Sequence, residues 1–421
     1  MTHQHFNTTN TVFVAIDVAK ISNEILILLP TGKKKKMKIA NHAKDFNLLI
    51  TYLKSLELEC VIGLEATGNY HRSIAYYLQT SGFTLYLISS LAAARTREAI
   101  HNSWDKNDPK DAQVILHLLK TGYVQTYYDP LIQQFQDIQE ISKTYHQVSL
   151  RKVQVQHSIV NHYLTLYFPE AEKYLHSSRA QWFSSLLLRF PLPSSITKYT
   201  FDEFIEAAWD VSGRKVNKKN WLADFYQTAH ESIGLPIFED SYAASMFKLI
   251  LQEHQSLCKT QKEIERKAEL LLGSNKDYLN LKSIPGIGPI IALTILAEAG
   301  NLRRFNHHRQ FLNFCGFNLS TKQSGNFRGQ SKLSKNGNAK LRYVFWLAGT
   351  VALRMRENTF RKKYESYIKR DPLNADLKRK AYTAVAAKMA RVAYSVVKHE
   401  TNYRCFFESV IPSGRITSNQ P

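Results

Sequence analysis

Two short apolar runs in the first part of the chain each end on a carboxylate. Thr11-Val12-Phe13-Val14-Ala15-Ile16 leads into Asp17, and Cys60-Val61-Ile62-Gly63-Leu64 leads into Glu65. Runs of this length and composition read as buried β-strands. An acidic side chain at the end of a buried strand is costly unless something compensates it. A hard divalent cation, Mg²⁺ or Mn²⁺, is the simplest compensation, because such ions prefer carboxylate oxygens. A second acidic pair, Asp108 and Asp111 in KNDPKDA, is spaced by three and shares one face of a helix. Four carboxylates from two strand ends and a helix start are what a two-metal phosphodiester site requires. Taken singly, each has a local explanation. Asp17 can cap a turn before Lys20, Glu65 can sit in a solvated loop before Thr67-Gly68, and Asp108-Pro109 is a good helix start by itself.

The pattern around these acids predicts strands at 11–17, 23–30 and 34–40, a helix at 43–57, a strand at 60–65 and a helix at 70–81. A strand at 83–89 and helices near 91–101 and 109–120 follow. Three adjacent strands, then strands alternating with helices, describe a mixed sheet with helices packed on it. The expected fold class is therefore an α/β, RNase H-like domain over 1–128. Residues 129–274 read as helical, with two long helices able to pair as an antiparallel coiled coil and a small helical insert at 176–238 between them. Residues 275–405 read as a mainly α C-terminal domain, and 406–421 as a tail.

The charge is divided unevenly. The 421 residues carry a formal net charge of +21, yet residues 271–421 hold 26 Lys and Arg against 8 Asp and Glu, while residues 1–270 hold 30 against 27. A polyanion bound by the basic third and cut at the acidic cluster accounts for that split. No apolar stretch is long enough to span a bilayer, so no membrane partner is expected. The opening MTHQHFNTTN lacks the layout of a signal peptide, and the four cysteines form no CxxC pair. The expected location is the bacterial cytoplasm, associated with the nucleoid.

Two C-terminal segments carry further signals. Ser283-Ile284-Pro285-Gly286-Ile287-Gly288-Pro289, followed by an apolar helix from Ile290 to Ala299, has the form of a helix-hairpin-helix. Glycines there allow backbone N–H groups to approach a phosphate, which makes Gly286 and Gly288 candidate contacts; a plain interhelical turn is the other reading. The polar segment TKQSGNFRGQSKLSKNGNAK interleaves Lys322, Arg328, Lys332 and Lys335 with Gly, Ser and Asn. It suits a phosphate backbone better than a core.

These motifs resemble those of the DEDD transposases of bacterial insertion sequences, a family related to the pilin-gene invertases and described as bridge-RNA-guided recombinases. AIDVAK, LEATGNY and KNDPKDA resemble the three acidic blocks of its RuvC-like domain. SIPGIGPIIALTILAEAG, FCGFNLSTKQSG and GQSKLSKNGNAKLR resemble its C-terminal domain in the same order. One departure is Asn107, where the family usually has Thr; it flanks the ligands without replacing one. The resemblance implies Asp17, Glu65, Asp108 and Asp111 as the metal-binding catalytic tetrad and Ser324 as the nucleophile. Residue chemistry alone does not choose Ser324 over Ser320, Ser331 or Ser334, and Ser334 is the runner-up. The implied partners are donor and target DNA, a non-coding guide RNA and further copies of the chain, as a dimer or tetramer. The competing readings are an RNase H-like junction-resolving nuclease that uses water, and a non-catalytic nucleic-acid-binding protein.

Overall fold

The computed structural model describes residues 2–3, 5–6, 10–101, 108–130, 135–174, 181–211, 217–320, 323–324, 327–329, 331–355 and 358–404; for residues 2, 3, 101, 108–110, 181, 323, 324, 327 and 328 it describes the backbone alone. Asn107, Lys322 and the tail at 406–421 lie outside the described residues. The chain divides into two compact units, Met1–Gln134 and Phe135–Pro421.

Unit 1 is built on a seven-stranded sheet. Its strands are β1 (Thr2–His3), β2 (Thr11–Val18), β3 (Ser22–Leu28), β4 (Lys34–Ala40), β5 (Glu59–Glu65), β6 (Leu85–Ile88) and β7 (Tyr123–Thr126). They lie in the order β1-β7-β6-β5-β2-β3-β4. β2, β3 and β4 form an antiparallel meander, whereas β5 pairs parallel with β2 and β6 parallel with β5. An antiparallel trio followed by two parallel strands on its first member is the RNase H-like arrangement. The expected strands are present, and the short β1–β7 pair is an addition that periodicity did not reveal. Both faces of the central strands are covered. On one side Val12, Val14, Ile16, Ile62 and Leu64 meet α1 (Ala43–Ser55) and α2 (His71–Thr80). On the other, Phe13, Ala15, Leu26 and Val61 meet α4 (Asp108–Lys120), with α3 (Ser90–His101) beside it. That double burial is why these strands read as continuous apolar runs.

In unit 2, α5 (Gln136–Ser158) continues through a π-helical turn at Ile159–Leu164. Four helices, α6 (Gln181–Arg189), α7 (Pro193–Thr197), α8 (Phe201–Trp209) and α9 (Lys218–His230), enclose a core rich in aromatic rings, among them Phe168, Phe183, Phe204 and Phe225. The long α10 (Tyr242–Leu272) returns alongside α5. Tyr145 Oη donates to Glu265 (3.1 Å), Gln261 Nε2 donates to Tyr145 (2.8 Å) and Ser149 (3.2 Å), and Lys152 bonds Gln261. Contacts that rise along α5 fall along α10, so the two run antiparallel.

A second core gathers α11 (Lys276–Lys282), α12 (Pro289–Ala299), α13 (His308–Phe314), α14 (Ala339–Ala352), α15 (Thr359–Ile368) and α16 (Ala375–Lys398). Ala268 and Leu272 of α10 belong to it, and Ile138 and Ile141 of α5 pack on it. Residues on both sides of position 275 therefore share one core. Helix α15 carries Arg361, Lys362 and Lys363. Asn338, Asn358 and Asn374 each accept backbone N–H bonds at the helix starts of α14, α15 and α16, the preferred chemistry for an N-cap.

Candidate active site

Strand alternation places the first two acids. Phe13 and Ala15 face α4, so Asp17 does too; Val61 faces α4, and with period two so does Glu65. The parallel register pairs Ile16 with Leu64, which sets Asp17 and Glu65 side by side at the C-terminal ends of adjacent strands, about 4.8 Å apart at the backbone. Both side chains are partly exposed. Gly63 lies two residues before Glu65 on the same face, where a Cβ would stand 2.9 Å from a Leu119 methyl of α4, so glycine favours close approach of the helix.

Helix α4 delivers the other acids to the same end. Its C-terminal part, including Leu116, His117 and Lys120, lines a cavity with Thr11 and Phe13 at the start of β2. The helix therefore runs opposite to β2, and its first turn, with Asp108 and Asp111, points toward the strand ends that carry Asp17 and Glu65. Asp111 is buried. Its Oδ1 accepts from Nε of Arg97 on α3 at 2.6 Å, and Arg97 Nη2 forms an ion pair with the same oxygen at 2.6 Å. Only the backbone of Asp108 is described. Among the described residues no group of three His, Cys, Asp or Glu is gathered closely enough to hold an ion. The all-carboxylate donor set nevertheless suits a hard divalent cation.

The loops flanking the acids are braced. After Asp17, Asn41 Nδ2 donates to the carbonyls of Ala19 (3.0 Å) and Lys20 (2.9 Å), and Asn23 donates to Asn41 (2.6 Å). After Glu65, Arg72 at the start of α2 donates to Asn69 (3.0 Å) and to the buried Asp129 (2.6 Å), which Tyr127 also approaches (3.3 Å). His71 is buried against Tyr127, and burial lowers its pKa, so the imidazole is neutral near pH 7.

Two residues of this face escaped sequence reading. Glu24 lies opposite Asp17 in the β2–β3 register, and bonds Lys38 at 2.9 Å. It was recoverable from the antiparallel pairing of two predicted strands. Arg97 was not, since no motif marks it.

In unit 2 the polar segment forms a narrow hairpin. β8 (Leu319–Ser320) pairs with β11 (Lys332–Leu333), and β9 (Gln323–Ser324) with β10 (Phe327–Arg328). Ser324 is opposite Phe327, so it lies next to the tip; its side chain and that of Arg328 are outside the description. The root is pinned by Ser334 N–H to Asn318 O (2.7 Å) and Asn338 N–H to Phe314 O (2.7 Å). Ser334 Oγ accepts from Asn336 N–H at 3.4 Å, a local turn contact. Lys332 and Lys335 are exposed. The turn from α11 to α12 is present, but a Cβ on Gly286 (φ +89°) would stand 2.2 Å from Ala348 O, so close helix packing explains that glycine. Gly288 has open space around it.

A profile of the DEDD transposases of IS110 type, described as "Transposase", matches residues 14–169, and one described as "Transposase IS116/IS110/IS902 family" matches residues 278–365. The chain belongs to the IS110-type DEDD transposase family. Similar to it are the "Mini-circle putative transposase for IS117" of Streptomyces coelicolor, 25% identical over 75% of this chain and 78% of that one, and the "Transposase for insertion sequence element IS1111A" of Coxiella burnetii, 27% identical over 42% and 47%. Among solved structures, T. thermophilus RuvC in complex with a Holliday junction substrate matches 28% of this chain and 99% of its own, at 8% identity and a TM-score of 0.21. For this transposase the RNase H-like assignment rests on strand order. No helix among its described residues is long and apolar enough to cross a membrane.

Proposed function

We propose that this transposase cuts and rejoins DNA by serine attack at a metal-dependent carboxylate site. The observation that carries the reading is the meeting of Asp17 and Glu65 on one face, at the strand ends toward which α4 directs Asp108 and Asp111. These four residues would hold divalent cations, which lower the pKa of an attacking hydroxyl and neutralise the scissile phosphate. Ser324, beside the hairpin tip, is the nucleophile. Its hydroxyl gives up a proton to water, bonds phosphorus and expels a sugar oxygen, which takes a proton from water to leave as a free hydroxyl; the phosphoserine link conserves the bond for religation. The family motif, in Gln323-Ser324-Gly325, favours Ser324 over Ser334.

Binding falls to unit 2, where Lys322, Arg328, Lys332, Lys335 and the open backbone at Gly288 contact donor and target DNA, with Gly286 shaping a helix-hairpin-helix turn. A non-coding RNA from the mobile element selects sequence. The α5–α10 pair acts as a coiled-coil spacer between the 275–405 domain and the insert. Ile233, Phe238 and Tyr242 near the insert are each more than 80% exposed, which supports assembly into a dimer or tetramer.

The test is a denaturing gel of labelled DNA incubated with protein, Mg²⁺ and guide RNA. A protein-linked band is expected, absent in Ser324→Ala and retained in Ser334→Ala. The reverse pattern moves the nucleophile to Ser334, and metal-dependent cleavage with no adduct makes the protein a hydrolytic nuclease.

A further inference from the structure

At the root of the hairpin, unit 2 opens into a groove lined by Phe317, Leu333, Arg342, Tyr343, Trp346 and Thr383. Tyr343 and Trp346 are three apart on α14, so they share a face, and they are 58% and 43% exposed. The core does not require them: Leu341, Val344, Phe345 and Ala348 on the other side of α14 are the residues that fill it. The rings continue across the surface. Trp346 meets Tyr382 of α16 at 6.2 Å, and Tyr382 meets Tyr364 of α15 at 5.0 Å.

Cations border this row. Arg342 Nη1 is held at the hairpin root by the carbonyls of Lys335 (3.2 Å) and Cys315 (3.4 Å). Lys335 itself is exposed, as are Arg379 and Lys380 one turn before Thr383 on α16. Arg342 lines the groove itself and is joined to Lys335 through that residue's carbonyl, whereas Lys340 is tied to Glu298 and Arg379 approaches Asp376.

Exposed aromatic faces beside fixed cations are the chemistry that grips unpaired nucleotides: bases stack on rings and phosphates meet the charges. A duplex hides its base faces, so the groove selects a strand whose bases are unstacked. The position names the strand. From Leu319, paired with Leu333 at the groove, to Ser324 is five residues, a reach of at most roughly 18 Å. We propose that the groove stacks an unpaired base of the DNA strand that Ser324 attacks, with Tyr343 and Trp346 on the base and Arg342 and Lys335 on the flanking phosphates. This rests on the DNA-cutting reading above and adds the substrate conformation that reading leaves open.

The experiment uses the full-length protein and oligonucleotides carrying 2-aminopurine at successive positions. The parent is expected to quench one or two positions in single-stranded DNA and none in the duplex. Trp346→Ala and Tyr343→Ala should each abolish that quenching and weaken single-strand binding at least about fivefold, leaving duplex affinity and the salt slope unchanged. Trp346→Phe should keep both. Single-strand binding by both alanine variants equal to the parent's overturns the proposal. Loss confined to an RNA oligonucleotide of the same sequence overturns the DNA assignment in favour of an RNA strand. Metal-dependent cleavage without any quenching fails the groove alone. Quenching without metal-dependent cleavage fails the catalytic reading and leaves the groove as a single-strand site.

Discussion

The acidic end of unit 1 and the hairpin end of unit 2 are built in opposite ways. Asp17 and Glu65 are set by long-range register in a sheet buried on both faces, and Asp111 is enclosed and tied to Arg97. Ser324, Lys332 and Lys335 lie on or beside two-residue ladders with little core of their own. Groups that must hold charge at fixed spacing sit on rigid elements, because electrostatic stabilisation depends on preorganisation. Groups that follow a phosphate backbone sit on a segment that need only be anchored at its root.

The largest expected effect tests the rigid side. Asp17→Asn, Glu65→Gln, Asp108→Asn and Asp111→Asn should each lower strand cleavage by at least about a hundredfold, the scale for losing one group that stabilises developing charge. DNA binding should change by less than about threefold, since it rests on the charge of the other unit. Cleavage rates and filter binding on the same preparations decide this, and two variants cutting at the parental rate would break the division of labour.

An intermediate effect sharpens it. Arg97→Gln removes the guanidinium from a buried carboxylate and should cost about 2–3 kcal/mol of stability, below the roughly 3–5 kcal/mol of a fully enclosed pair because Arg97 keeps some solvent contact. Denaturant unfolding with and without Mg²⁺ provides the check: the cation should restore more stability to the variant than to the parent. Equal restoration would separate Asp111 from the metal site.

The smallest effect tests the exposed side. Lys332→Ala with Lys335→Ala should leave folding unchanged and flatten the plot of log affinity against log salt by up to about 0.9 per lost duplex phosphate contact. An unchanged slope would move phosphate recognition away from the hairpin root.

Much of unit 1 was legible in the sequence because its strands and helices follow strict periods. The strands ending at Asp17 and Glu65 and the helix opening at Asp108 fall within a residue or two of expectation. Helix α15 is hard to read from sequence, because its charged run, Arg361-Lys362-Lys363, masks the buried Phe360 that anchors it. A boundary at 275 looks natural at Gly273-Ser274, yet Ala268 and Leu272 on one side share a core with Leu281 and Ile284 on the other.

By itself the sequence determined the element types, the acidic strand ends, the basic last third and the family, since local pattern and motif spacing are written in consecutive residues. Only the tertiary structure decided that Arg97 neutralises Asp111, that Gly63 admits α4 beside the acids, and that Gly286 serves a helix contact. It alone brought Tyr343 and Trp346 beside the hairpin root. Each of these depends on residues far apart in the chain meeting at atomic distance, and composition or periodicity carries no record of which distant side chain fills a given space.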